Sequence, residues 1–206
     1  MAVMPMFPLG TTLLPGAVLP LQVFEPRYRQ MVRDILADDV NQPEFGVTMI
    51  ERGHEVGGGD TRATIGTVAR IIDIQVAPDG RYALAAVGTE RLRVNSWLPD
   101  DPYPLADIDL WPDEGEIEVA ASEIEALHRR VRDINDIVRS LGEMTPPPDI
   151  EIVDDPRLAV YHLGSLSPLG PADRHRLLAA PGLFERVQVL SDVLDDAAAV
   201  LEFRRM

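Results

Sequence analysis

Cysteine and lysine are both absent from this 206-residue sequence, so all nineteen cationic residues are arginine. Without cysteine the chain forms no disulfides or thiolate metal sites and has no cysteine nucleophile. A Walker A phosphate loop needs a lysine on the nucleotide phosphates. Serine–lysine dyads and Schiff-base enzymes need a lysine as base or nucleophile. These chemistries are excluded, and we expect neither ATP binding nor degradation of casein-like substrates.

Long apolar runs and a basic N-terminal region are also missing. No stretch approaches the roughly 18 apolar residues that a membrane span needs. The first arginine is Arg27, so no secretory leader is predicted. The hydrophobic share of 46% is large enough to bury a core. We therefore expect a cytoplasmic globular protein without membrane contact.

Positive charge is scarce, because 19 arginines face 34 acidic residues and the formal net charge is −15. A polyanion repels phosphate backbones, and the arginines are scattered singly or in pairs rather than clustered. Nucleic-acid binding is therefore not the primary expectation. RNA binding through one basic, aromatic face stays open as an alternative hypothesis.

Histidines and aspartates give no recognisable catalytic or metal-binding pattern. The four histidines are far apart, and none forms a His-x-x-x-His pair. His162 precedes Ser165 by three residues, but Ser165 lacks the Gly-x-Ser-x-Gly context of a hydrolase nucleophile. Asp154-Asp155 and Asp195-Asp196 lack the spaced oxygen ligands of a calcium loop. We predict no metal, no cofactor and no catalytic residue, with an enzyme of unrecognised type as a second alternative.

The first half of the sequence has the alternating apolar pattern and the turn residues that are typical of strands. Strands are predicted over Leu19–Val23, Phe45–Glu51, Val68–Val76, Arg81–Val87, Leu92–Leu98 and Leu105–Trp111. The turn Pro78-Asp79-Gly80 joins two of them into a hairpin. One helix interrupts the strands, beginning at Pro26 and continuing to about Leu36.

The second half has apolar residues at three- and four-residue spacing, which predicts helices. Four are predicted, over 117–141, over 156–163, from about Pro171 and over Leu183–Phe203. Asp155 is the predicted N-cap of the second of these, Pro156 its first residue and Gly164 its stop. Helices with single apolar stripes must pack on one another, which favours a small bundle.

The change of period near Asp113 divides the chain into two predicted parts. A β-rich domain with one inserted helix is predicted over residues 1–112, and a helical bundle over residues 113–206. The segment Arg52–Thr64 contains three consecutive glycines and little that would anchor it. It is predicted to be a loop that moves on the nanosecond to microsecond scale.

Nine short motifs in the first 110 residues share the order and spacing of one known family. They are Phe7-Pro8-Leu9, Leu14-Pro15-Gly16, Leu19-Pro20-Leu21, Val23-Phe24-Glu25-Pro26-Arg27-Tyr28, Phe45-Gly46-Val47, Ile65-Gly66-Thr67-Val68-Ala69, Asp79-Gly80-Arg81, Val87-Gly88-Thr89-Glu90-Arg91-Leu92-Arg93-Val94 and Tyr103-Pro104-Leu105-Ala106. Together they resemble the Lon N-terminal domain family, the substrate-recognition part of Lon proteases. The helical remainder resembles the bundle that follows in bacterial members.

The resemblance implies an α+β fold, with a β-rich pseudo-barrel of PUA-like topology followed by the helical bundle. It also implies recognition of proteins or damaged polypeptides. In full-length Lon, an ATPase domain and a serine–lysine protease domain follow, whereas this sequence ends at Met206 and has no lysine. The primary hypothesis is therefore a non-catalytic module that binds a partner protein or unfolded polypeptide and takes no nucleotide.

The candidate binding residues belong to these motifs and are Phe24, Glu25, Arg27, Tyr28 and Arg91. Arg27 falls in a first helical turn, where the helix dipole disfavours a cation, so it should need Glu25 or Glu90 as a partner. In one interpretation, Glu25, Arg27 and Arg91 form ion pairs that tie the helix to the barrel. In the other, they form the polar rim of an apolar groove, either on the β domain or at its junction with the helices.

Overall fold

The computed structural model describes residues 2–38, 40–53, 61–115 and 118–205. The chain divides into two compact units, residues 1–112 and residues 113–206. The first unit contains β1 (Ala2–Leu9), β2 (Val18–Val23), α1 (Pro26–Ala37), β3 (Glu44–Arg52), β4 (Thr61–Val76), β5 (Tyr82–Trp97) and β6 (Leu105–Leu110). The second contains α2 (Ala121–Ser140), α3 (Pro156–Leu166), α4 (Pro171–Leu178) and α5 (Leu183–Arg205).

The six strands of the first unit form one mixed sheet in the order β2-β5-β4-β3-β1-β6. β1 runs parallel to β3, while the other pairs are antiparallel. β5 is long enough to pair with β4 over most of its length, with β2 through its first half and with β6 through its second half. Within the described residues β2 has β5 as its neighbour and forms an edge of the sheet.

Helix α1 covers one face of the sheet, the face to which Leu19, Leu21 and Val23 of β2 point. Its apolar stripe, formed by Tyr28, Met31, Val32 and Ile35, is buried. The Phe7 ring of β1 stacks on the Tyr28 ring with centroids 4.1 Å apart. The helix begins at Pro26 as predicted, because proline has no N–H that would be left without a partner in a first turn.

Two strand predictions need correction. Arg81–Val87 and Leu92–Leu98 fall in one strand, β5 (Tyr82–Trp97). A register shift between the pairs Gly88–Ala69 and Arg91–Thr67 accommodates the two residues that separate Gly88 from Arg91. The loop predicted over Arg52–Thr64 is shorter in the structure, because β3 ends at Arg52 and β4 already begins at Thr61. Residues 54–60 lie outside the described part of the chain, and the predicted loop motion concerns them.

The predicted helices are present with adjusted ends. α2 is observed from Ala121 rather than from 117, and residues 116 and 117 lie outside the described residues. Asp155 caps α3 as predicted, because its Oδ1 accepts a hydrogen bond of 2.8 Å from the Arg157 N–H. The prediction that Gly164 stops this helix is wrong. Gly164 is buried inside α3, which ends at Leu166, immediately before Ser167 and Pro168.

The core of the second unit contains a buried ion pair. The side chain of Arg186 on α5 is 0% exposed, and its guanidinium donates hydrogen bonds to both carboxylate oxygens of Asp113. The same guanidinium lies 4.0 Å from the centroid of the Tyr161 ring on α3. The pair therefore ties the segment before α2 to α5 and α3. None of the described helices combines the length and apolarity that a membrane span requires.

Candidate functional site

The five candidate residues lie in two places in the first unit. Phe24, Glu25, Arg27 and Tyr28 surround the start of α1, and Arg91 lies in the middle of β5. Phe24 is 55% exposed, whereas Tyr28 and Arg91 are only 3% and 4% exposed. Phe24 is therefore the candidate best placed to contact another molecule, while Tyr28 and Arg91 belong to the folded interior.

Arg27 takes part in an ion-pair network at the start of α1. Its Nε donates to Glu25 Oε2 at 3.1 Å, which confirms one of the two predicted partners. Its Nη1 also lies 4.0 Å from Asp100 Oδ2, and Arg62 of β4 approaches the same carboxylate oxygen at 3.1 Å. Asp100 therefore links α1 to β4, a contact that the sequence did not reveal. For Arg27 and Glu25 this arrangement favours the interpretation as ion pairs that hold the helix on the sheet.

Arg91 packs on the ring of Trp111, just beyond β6. Its guanidinium lies 4.0 Å from the centroid of the Trp111 ring, and its Nη2 donates to the Pro112 carbonyl at 3.3 Å. Arg93, two residues along β5, approaches the same ring at 3.7 Å. Trp111 is itself buried, at 6% exposure. These contacts fix the chain beyond β6 against β5.

An uncharged strip lies on the face of β2 and β5 opposite the core. Leu19, Leu21 and Val23 point to the core, so the intervening residues of β2 point outward. The cross-strand pairs on this outer face are Val18 with Val87, Pro20 with Ala85 and Gln22 with Ala83. We name the five apolar members, Val18, Pro20, Ala83, Ala85 and Val87, the β2–β5 strip. Val18 is 61% exposed, and the strip lies beside the edge of β2 that has no neighbouring strand in the described part of the chain.

Two cavities of about 650 Å³ each open on the second unit, and the sequence predicted neither. One lies beside the Asp113 segment and is lined by carboxylates together with Leu183 and Phe184. The other lies between α2 and the segment that leads into α3, and we name it the helical groove. Its lining residues are Val119, Ala121, Ile124, Glu125, His128, Glu151, Ile152, Val153, Asp154, Pro156 and Ala159. Both are built from residues of separate elements, which spacing along the chain does not bring together.

His128 in the helical groove should make stability depend on pH. Burial, Arg132 and His162 lower its pKa below the ordinary 6.5, while Glu125 opposes the shift. The unfolded chain therefore binds a proton more readily, so this contribution to stability is complete above about pH 6.5 and is lost as the pH falls through the folded pKa. The urea concentration at the unfolding midpoint should fall as the pH is lowered from about 7.5 to 5.5. We expect a smaller fall in His128→Gln than in the native chain. An unchanged fall in the variant would contradict this assignment.

Comparisons with known proteins agree on one family. The model of the ATP-dependent protease La (LON) substrate-binding domain matches residues 3–196. Lon protease 1 of Herpetosiphon aurantiacus is 26% identical over 98% of this chain and 25% of its own length. Lon protease 2 of Myxococcus xanthus is 27% identical over 97% of this chain and 24% of its own length. The chain thus spans about a quarter of the length of these curated relatives.

Solved structures give the same result. The Lon N-terminal domain protein from Xanthomonas campestris superposes with a TM-score of 0.68 at 27% identity, covering 93% of this chain and 98% of its own. The N-terminal domain of the Mycobacterium avium complex Lon protease has a TM-score of 0.62 at 21% identity, covering 95% and 99%, and shows the fold alone. The nine motifs of the first 110 residues therefore reflect a relationship that extends over the helices as well. This chain belongs to the Lon substrate-binding domain family.

Proposed function

We propose that this chain is a non-catalytic polypeptide-binding module that holds extended or partly unfolded protein segments against the β2–β5 strip. The observation that carries the proposal is the coincidence of three features at one place. An uncharged apolar surface, the free edge of a strand and the exposed Phe24 ring all occur along β2. The family relationship supports polypeptide as the class of ligand.

The edge of β2 provides backbone groups for an added strand. An edge strand presents donors and acceptors with which an extended peptide can pair. Pro20 lies in the middle of β2 and removes one donor, a feature that protects edges from indiscriminate pairing. A client would therefore hydrogen bond at the two ends of β2 and rely on side-chain contacts between them.

Apolar contact supplies the remaining affinity. Val18 and Phe24, at opposite ends of β2, are 61% and 55% exposed and would be covered by a bound segment. On the neighbouring strand β4, the charged residues Arg70 and Asp73 pair with Val87 and Ala85 of the strip. The exposed Ile72 lies between these two charged residues and offers one further apolar contact. Because the client must be ordered on binding, we expect dissociation constants in the micromolar range, about −8 kcal/mol.

RNA binding is less well supported by the charges of the described residues. At least ten of the nineteen arginines lie within 4.0 Å of a carboxylate, among them Arg27, Arg62 and Arg70 of the β-rich unit. A phosphate backbone would have to compete with these carboxylates under a net charge of −15. Polypeptide is therefore the better candidate ligand.

Three further features of the fold are also proposed: the topology of the first unit, the packing of the helices and the division into domains. We propose that the first unit is a pseudo-barrel of PUA-like topology, supported by the pairing of β6 with both β1 and β5. We propose that α2 to α5 act as one bundle, supported by contacts of α5 with the other three helices. On this view residues 1–112 and 113–206 are two domains, and the protein works in the cytoplasm.

The proposal is tested with fluorescent peptides that tile the sequence of an unfolded protein, using the folded parent protein as the control. We expect several peptides rich in apolar residues to bind with micromolar dissociation constants while the folded parent does not. If no peptide binds below about 100 μM and a single folded protein is captured instead, the chain is a dedicated adaptor and the proposal is wrong.

The position of the surface is tested by removing its two exposed apolar side chains. We expect Val18→Ser with Phe24→Ser to weaken peptide binding about ten-fold, because each side chain loses apolar contact area with the client. Leu110→Ser is the matched control, since Leu110 is 50% exposed on β6 and lies outside the strip. Equal weakening in both variants would show that the surface lies elsewhere.

A further inference from the structure

The helical groove combines an apolar floor with an acidic rim. Ile124 of α2 and Ile152 and Val153 of the segment before α3 line it, and Val153 is 44% exposed. The groove is about 650 Å³, within the range of cavities that hold ligands. A cavity with apolar lining and a few polar groups around it is the usual form of a binding site.

The carboxylates that line the groove are Glu125, Glu151 and Asp154, and no arginine is among the lining residues. Arg132 acts on His128 from outside this lining. The neighbouring cavity shares Val119 and Pro156 with the groove and adds further carboxylates against one cation, Arg157. A basic side chain entering this region would be attracted, while an acidic one would be repelled.

We propose that the helical groove binds client segments in which basic side chains alternate with apolar ones. The inference rests on the proposed polypeptide binding and names a client class and a second contact surface, in the helical unit. Apolar client side chains would pack on Ile124, Ile152 and Val153, and basic ones would reach Glu125, Glu151 and Asp154. Because these carboxylates face solvent, each contributes modestly, and selectivity comes from their shared sign.

The test uses three fluorescein-labelled peptides of about twelve residues, in which leucine alternates with arginine, glutamine or glutamate. The full chain should bind the arginine peptide at least ten-fold more tightly than the glutamate peptide. Glu151→Gln with Asp154→Asn should weaken binding of the arginine peptide about five-fold and leave the glutamine peptide unchanged. Both residues are exposed and lie outside the helices, so the fold should persist, which circular dichroism checks.

Two matched controls separate the groove from the general charge of the protein. Asp192→Asn with Glu202→Gln removes the same charge from exposed positions on α5 and should leave binding of the arginine peptide unchanged. Val153→Ser should weaken binding of both the arginine and the glutamine peptides. Val200→Ser, at a 61% exposed position on α5, should weaken neither.

Four other results would contradict the groove assignment, its proposed occupant or the proposed function. Equal binding of all three peptides would overturn this inference and leave the proposed polypeptide binding intact. Equal weakening in the two charge-neutralised variants would assign the preference to net charge and overturn the groove assignment. Self-association of the native chain that disappears in Glu151→Gln with Asp154→Asn would make a second copy the occupant. Failure of every peptide to bind would overturn the proposed function as well.

Discussion

Replacing Asp113 by alanine is expected to lower the free energy of unfolding of the helical unit by about 3–5 kcal/mol. Asp113 holds the guanidinium of Arg186, whose side chain is 0% exposed. Without the carboxylate, a charged group would remain in the interior with its counter-charge removed, and its desolvation would no longer be offset. Urea unfolding followed by helical circular dichroism measures the loss.

Two companion variants define this effect. Glu143→Ala breaks the pair with Arg204, whose side chains are 47% and 48% exposed, and should cost less than about 1 kcal/mol. Asp113→Leu combined with Arg186→Met removes both buried charges and should recover most of the stability that the single substitution loses. If Asp113→Ala costs no more than Glu143→Ala, the pair does not stabilise the unit as described.

Replacing Gly66 by alanine is expected to destabilise the β-rich unit by about 3 kcal/mol, at the upper end for an overpacked interior. A Cβ at Gly66 would lie 2.3 Å from the Val47 carbonyl oxygen and 2.7 Å from Thr48 Cγ2. The nearest obstacle is backbone of the paired strand β3, which cannot move without disturbing the sheet. Unfolding in guanidinium chloride, followed by tryptophan fluorescence, measures the loss.

Gly170→Ala is the control for this substitution. A Cβ at Gly170 meets nothing within 4 Å, and the backbone φ of −71° is open to any residue. Because Gly170 is the N-cap of α4, the variant should lose no more than about 1 kcal/mol. Equal stability of Gly66→Ala and the native chain would mean that the two strands separate there at little cost.

Local signals in the sequence were sufficient where one residue determines the backbone near it. Pro26 and Pro156 each occupy the first turn of a helix, and Asp155 caps the second of these. Gly80 supplies the positive φ, +77°, that the hairpin turn between β4 and β5 requires. Each of these features depends on residues a few positions apart, so a single sequence reveals them.

β1 escaped prediction because proline normally argues against a strand. It contains Pro5 and Pro8, yet both are accommodated. Residues 2–5 pair with β6, whereas residues 6–9 pair with β3. Each half therefore has one of these neighbours rather than both, so a proline there does not have to interrupt a hydrogen-bonded ladder. The change of partner within one strand is a tertiary feature that no local pattern indicates.

The site was predicted only in part for the same reason. Phe24 could be selected from its motif, and its exposure makes it a credible contact residue. Tyr28 and Arg91 came from the same motifs but are buried, because a family motif marks positions in the folded core as well as at the surface. The pairing of Val18 with Val87, 69 positions apart, and the link between Arg27 and Asp100 depend on the fold of the sheet.

The most direct test of polypeptide binding is a titration of the isotope-labelled chain with an apolar unfolded peptide, observed by NMR. The account predicts saturable shifts of backbone amide signals in β2, at Phe24 and in the first half of β5, with a micromolar dissociation constant. Helical-groove signals should shift as well when the peptide also carries arginine. Saturable shifts confined to other elements, or none at peptide concentrations up to about 100 μM, would contradict the assignment of the β2–β5 strip as the client-binding surface.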